Sequence, residues 1–171
     1  MNTIIPKDFL EKINVGKVLR YAIYLVVLLA MQNILFTQLR IFGVCPMFLP
    51  AAAVAMGMFE GATWGPLFSL VLGIFADMAF VENTIFFTLA FPAISFASAF
   101  ISNFFINRRF FAYMGAAILG LLATAGGQLL KTAASDTFSI VMVTTALLQT
   151  AWSLPFAVLA YYPPARLSRL E

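Results

Sequence analysis

Long apolar runs alternate along this chain with short polar or glycine- and proline-containing breaks. A helix that crosses the hydrocarbon core of a bilayer needs about 20 mostly apolar residues. On that measure six spans are predicted, at roughly 21–39, 44–59, 63–80, 84–106, 110–130 and 138–162. The second is short and holds two prolines. Pro46 is harmless in a first turn, whereas Pro50 removes a backbone hydrogen bond and is expected to bend the helix. Gly43 precedes the second span, and Gly61 and Pro66 separate it from the third. Asn83 or Thr84 can cap the fourth, and Ser135, Asp136 or Thr137 the sixth. Pro163 and Pro164 are expected to stop the last helix. The predicted fold is an all-α integral membrane bundle of six transmembrane helices over residues 21–162. A segment of residues 1–20 precedes it and a tail of residues 163–171 follows. Within the leading segment Ile5, Phe9, Leu10 and Ile13 share a helical face, which fits either a short surface helix or a plain flank.

Composition supports a lipid-solvated chain. Of 171 residues, 63% are hydrophobic and 10% charged, against about 25% charged in a typical soluble domain. A soluble fold of this size would expose adhesive apolar patches. The first apolar run is too long for a signal-peptide core and reads as a retained span. Lys and Arg set the orientation. With a cytoplasmic N-terminus and six crossings, Lys7, Lys12, Lys17, Arg20, Arg108, Arg109, Arg166 and Arg169 lie inside, and Arg40 and Lys131 outside. Both termini are then cytoplasmic. The same parity holds if the second and third spans form one re-entrant hairpin.

Charge and cysteine content narrow the chemistry further. The formal net charge of +3 comes from basic residues scattered between oily runs, which is not the clustered face of a nucleic-acid binder. Cys45 is the sole cysteine and there is no histidine. Neither an internal disulfide nor a Cys/His metal site is expected, and Cys45 reads as a small packing residue. The stretch Gly126-Gly127-Gln128-Leu129-Leu130-Lys131-Thr132 only faintly echoes a phosphate loop and lacks its spacing. No catalytic constellation and no cofactor site is predicted.

Polar and small residues inside the spans are the remaining candidates. Residues 61–76 carry no charge, and Asp77 follows them. Gly57, Gly61, Gly65, Ser69 and Gly73 lead up to it at every fourth position. Gly65, Ser69 and Gly73 share one face of the third span, where small residues let a second backbone approach. They predict a packing or partner seam that ends on Asp77. A carboxylate at membrane depth faces protein, water or a basic partner, so Arg40 and Lys131 are its candidate ion-pair partners. A second ladder, Ala116, Gly120, Thr124 and Gln128 beside Ala123 and Gly127, predicts that the fifth span packs on the third. Gln32, Asn33 and Gln149 are amides that seek hydrogen bonds across helices. Gln32, Asn33 and Gln128 are candidates for lining a small polar cavity, and Trp64 and Trp152 suit interfaces or packing.

Several of these residues carry a family resemblance. Gln32-Asn33-Ile34-Leu35-Phe36 and Leu39-Arg40-Ile41-Phe42-Gly43-Val44-Cys45-Pro46 resemble the first span and connector of the rod shape-determining protein MreD family. Glu60-Gly61, Gly65, Gly73 and Asp77 resemble that family's glycine-and-aspartate segment. The chain departs from the family at Met47 and Phe48, where Asp or Asn often follows the connector proline, and in the short basic pair Arg108-Arg109. The resemblance implies a non-enzymatic subunit of the bacterial inner membrane. It would bind a bitopic MreC-like partner and support peptidoglycan synthesis and rod shape within the cell-elongation machinery. It also implies a helical arrangement like that of the substrate-capture (S) components of energy-coupling-factor transporters. Such an S component is the alternative reading, with a transporter coupling subunit as partner and a vitamin pocket drawn from Asn33, Asp77, Glu82, Asn83 and Gln128.

Overall fold

The structure, a computed structural model, describes residues 15–36, 38–39, 43–79, 85–104, 110–134 and 139–167. Helix α1 (Val15–Ala30) continues into a π-helical turn, Met31–Phe36. An extended stretch over residues 44–48 leads into α2 (Leu49–Ala79), followed by α3 (Phe86–Phe104), α4 (Phe110–Ala134) and α5 (Ile140–Leu167). No strand occurs among the described residues. Among the described residues four helices are long and apolar enough to cross a membrane: Val18–Phe36, Leu49–Ala79, Phe110–Ala133 and Ile140–Arg166. A shorter apolar helix covers Phe86–Ser102.

The expected second and third spans both fall within α2, and the backbone shows how. Gly61 breaks the helix with φ 77° and ψ −170°, a region essentially reserved for glycine. A Cβ built on Gly65 would lie 2.7 Å from Gly57 Cα. In a straight helix residues eight apart are separated by about 12 Å, so the chain folds back on itself at Gly61. We call residues 49–60 α2a and residues 62–79 α2b. Limb α2a is about 18 Å long, short of the roughly 30 Å hydrocarbon core. Among the described residues the six expected spans appear as four long apolar helices, one of them a hairpin that holds the second and third, and one shorter helix.

Prolines depart from expectation in two places. Pro50 is the second residue of α2 and sits in its first turn, where the missing N–H has no intrahelical partner to lose. It bends nothing. Pro163 and Pro164 lie inside α5, which runs on to Leu167, so the tail expected from residue 163 begins as helix. The caps proposed at Asn83, Thr84 and Ser135 to Thr137 lie outside the described residues. Ser139 caps α5 instead, its hydroxyl oxygen accepting from the Val141 N–H at 3.4 Å.

Limb α2a is the centre of the molecule. Every residue from Leu49 to Phe59 is buried. Tyr24, Leu25 and Leu28 of α1, Leu72 and Ala76 of α2b, and Phe87 and Phe91 of α3 cover one side. Tyr113 and Ala117 of α4 and Ala157 and Ala165 of α5 cover the other. The elements' ends sort into two groups. Tyr21 of α1 donates a hydrogen bond to Glu60 at the hairpin tip. Tyr161, near the end of α5, packs against Phe59 of that tip and Phe110 at the start of α4. We call this the proximal end. The opposite, distal end gathers the extended stretch, the end of α2b, the start of α3, the end of α4 and the start of α5.

Candidate functional site

An extended backbone inside a membrane bundle cannot hydrogen-bond to itself and must find partners in the protein. Residues 46–48 find partners in two side chains. Gln32 Nε2 donates to the Pro46 carbonyl at 3.0 Å, and Gln32 Oε1 accepts from the Phe48 N–H at 3.3 Å. A single amide thus does for this segment what a neighbouring strand would do. The Met47 N–H donates to Ser153 Oγ of α5 at 2.7 Å. Gln32 reaches inward from the π-turn of α1 and is buried, while the next residue, Asn33, is exposed on the other side. Below the clamp, Phe36 packs edge-on against Phe48 and Phe156.

Asp77 performs the matching task at the distal end of α2b. Its Oδ1 accepts from the Phe87 N–H at 3.1 Å. Its Oδ2 accepts from the Thr88 N–H at 2.7 Å and from Thr88 Oγ1 at 2.6 Å. These N–H groups belong to the first turn of α3, which no intrahelical carbonyl serves. A carboxylate there also complements the positive end of the helix dipole. Asp77 is therefore an N-cap supplied from the preceding helix. Of its candidate ion-pair partners, Arg40 lies outside the described residues and Lys131 sits in the last turn of α4.

The small-residue ladder is what brings α3 close enough to be capped. A Cβ on Gly73 would lie 2.5 Å from the Phe87 carbonyl oxygen, and one on Gly57 would lie 2.1 Å from that of Ser95. Gly57, Gly65 and Gly73 therefore hold three backbone crossings: α2a on α3, α2a on α2b, and α2b on α3. Ser69 is fully buried between them. The second ladder meets the short limb: a Cβ on Gly120 would lie 2.8 Å from Val54 Cγ2 of α2a. Gly127 is crossed by the ring of Phe86 from α3, 2.5 Å from such a Cβ. The contacts of this ladder in α4 are thus with α2a and α3.

Gln128 does line a cavity. Its neighbours there are Met47, Pro50, Thr124, Gln149, Thr150 and Ser153, and its volume is about 10 Å³, close to the room one water needs. Gln32 and Asn33 are not among the lining residues. Glu82 and Asn83 lie outside the described residues. Trp64 is exposed beside the hairpin tip, and Trp152 packs edge-on against Phe156.

Three structural residues escape a reading of periodicity alone. Tyr113 is fully buried, and its hydroxyl donates to the Ala157 carbonyl at 2.7 Å with the Ala51 carbonyl at 3.3 Å. Tyr24 donates to the Ala160 carbonyl at 3.1 Å. Ser153 holds Met47. A buried tyrosine within an apolar span is itself a signal, because its hydroxyl must find an acceptor. Among the described residues no group of His, Cys, Asp or Glu is placed to hold a metal ion. The chain matches no protein-family model, no curated protein and no solved structure.

Proposed function

We propose that this protein is a non-enzymatic membrane scaffold subunit, of the kind its resemblance to the MreD family implies, in the cytoplasmic membrane of a bacterium. One observation carries the reading. Among the residues that give the resemblance, Gln32, Pro46, Gly65, Gly73 and Asp77 are engaged with the protein's own backbone and Gly61 turns it. They clamp an unwound segment, turn a hairpin and cap a helix. Residues used in that way favour a rigid body that presents surfaces over a pocket that captures a solute. The cavity at Gln128 is far smaller than the roughly 300–1,000 Å³ of ordinary ligand sites, which weighs against a vitamin-binding S component built there.

In this reading the extended stretch and α2a cross the bilayer together. Six crossings then leave both termini cytoplasmic, in keeping with the distribution of Lys and Arg. The proximal end would face the cytoplasm. The partner would be a bitopic MreC-like protein linked to cell-wall synthesis. Gentle purification from the native membrane, with mass spectrometry of co-purifying proteins and small molecules, tests this. A single-span coiled-coil protein with cell-wall synthases is the expected result. A coupling subunit with ATPases, or a tightly bound vitamin, would overturn it.

A further inference from the structure

The two halves of α5 differ. From Thr150 onward it buries a stripe that includes Ser153, Ala157, Ala160 and Pro164. Between Ser139 and Gln149 no residue is buried, and Ile140 and Val141 are 80% and 66% exposed. The end of α4 is similar: after Thr124 no described side chain is buried. A groove runs between these two distal ends, floored by the cavity of Gln128 and Gln149.

The groove carries hydrogen-bonding capacity that the described bundle does not satisfy. Thr124, Thr150 and Ser153 each donate to the carbonyl four residues earlier on their own helix, at 2.6–2.9 Å, and Ser153 Oγ also accepts from the Met47 N–H. Their protons are engaged and only lone pairs remain. The amide side chains of Gln128 and Gln149 line the same cavity and have no hydrogen-bond partner among the described residues. Unpaired amides against hydrocarbon are unfavourable. The cavity of about 10 Å³ is too small for a metabolite and has room for one water or the hydroxyl of one small side chain. A second copy of this chain would set one recessed polar cluster against another and fill neither.

We propose that this groove seats a transmembrane helix of a partner protein, through one small recessed side chain that both donates and accepts, Ser or Thr. The proposal rests on the scaffold reading and assigns the partner's place on it. Apolar flanks at Ile140 and Val141 suit a membrane helix, and the polar floor supplies its register.

The test is photocrosslinking in native cells, with p-benzoylphenylalanine in place of Met142, which shares a helical face with Ala146, Gln149 and Ser153. The same group in place of Phe75, exposed on α2b, is the comparison site. Met142 should give one adduct with a single-span protein and Phe75 none. Gln128→Leu and Gln149→Leu should each lower that adduct at least about fivefold without changing the melting profile, because neither amide has a partner in the described bundle. If a leucine variant melts early, Ala146→Trp, which blocks the groove from a half-exposed position, must lower the adduct in its place. A partner adduct from Phe75 alone, or full yield in the blocked variants, overturns the groove while the scaffold reading stands. An adduct with a second copy at Met142, with no single-span partner from either site, overturns both.

Discussion

The two limbs of α2 are both apolar and have opposite surroundings. Limb α2a is buried on every side from Leu49 to Phe59. Limb α2b buries Gly65, Ser69, Leu72, Gly73 and Ala76 and leaves Leu67, Leu70, Ile74, Phe75 and Met78 exposed. In water the larger apolar side chains would be the ones turned inward. Here the inward stripe is mostly small and the outward face is large and oily. Lipid is as apolar as leucine, so hydrophobicity does not choose a face; close approach and backbone hydrogen bonding do. The short limb is central because neighbours can come close to it. The segment leading into it survives unwound because Gln32 and Ser153 serve its backbone.

That account fails first at Gly57. Its substitution by alanine sets a methyl group 2.1 Å from a backbone oxygen of α3, where no flexible side chain can yield. Overpacking of this kind costs about 1–3 kcal/mol and sometimes more, and the upper end is expected because backbone must move. Unfolding of Gly57→Ala in mixed micelles by rising SDS should show it. Gly57→Ala matching the parent would mean that α3 is not held at this distance.

Gln32→Leu comes next. It keeps the volume and removes both partners of the Pro46 carbonyl and the Phe48 N–H. Each buried group left unpaired costs about 1–3 kcal/mol. Amide hydrogen exchange at Phe48 should accelerate with the loss of stability, and Ser153→Ala should do the same at Met47. Unchanged exchange at Phe48 would mean that the segment has another partner.

Asp77→Ala should cost about 0.5–2 kcal/mol, the usual range for a lost N-cap, with the first turn of α3 fraying. Asp77→Asn retains an acceptor and should recover much of it. Were Asp77 instead held by a cation, reversing the charge of Lys131 would matter as much as removing the carboxylate. The cap predicts that Lys131→Glu is the milder change.

What the sequence shows and hides follows the same physics. Apolar run length locates the helices, and Gly61 marks the turn between two of them. Spacing by four picks out Gly65, Ser69, Gly73 and Asp77 as one face, which is the face that packs. Run length does not reveal that α2a is too short to cross alone, because the extended residues before it are just as apolar. Nor does it tell Gln32 from Asn33. Which of two adjacent amides points inward depends on the π-turn, and no residue pattern in 31–36 announces that turn. Asp77 is legible as a residue needing a partner, but its sequence context suggests a cation where the amino end of a helix fills the need. Backbone N–H groups are invisible to a search for charged residues.

The smallest expected effect tests whether glycine matters in this bundle for its size or merely occurs there. A Cβ at Gly115 of α4 would meet nothing within 4 Å, and its φ is not among the positive ones. Glycine inside a helix is less favourable than alanine by about 0.5–1 kcal/mol. Gly115→Ala should therefore stabilise by a few tenths to about 1 kcal/mol in the same SDS titration. It changes the same atom count as Gly57→Ala and should carry the opposite sign. Loss of stability at Gly115 would place a neighbour against that side of α4, and close approach would no longer separate the packed glycines from the free ones.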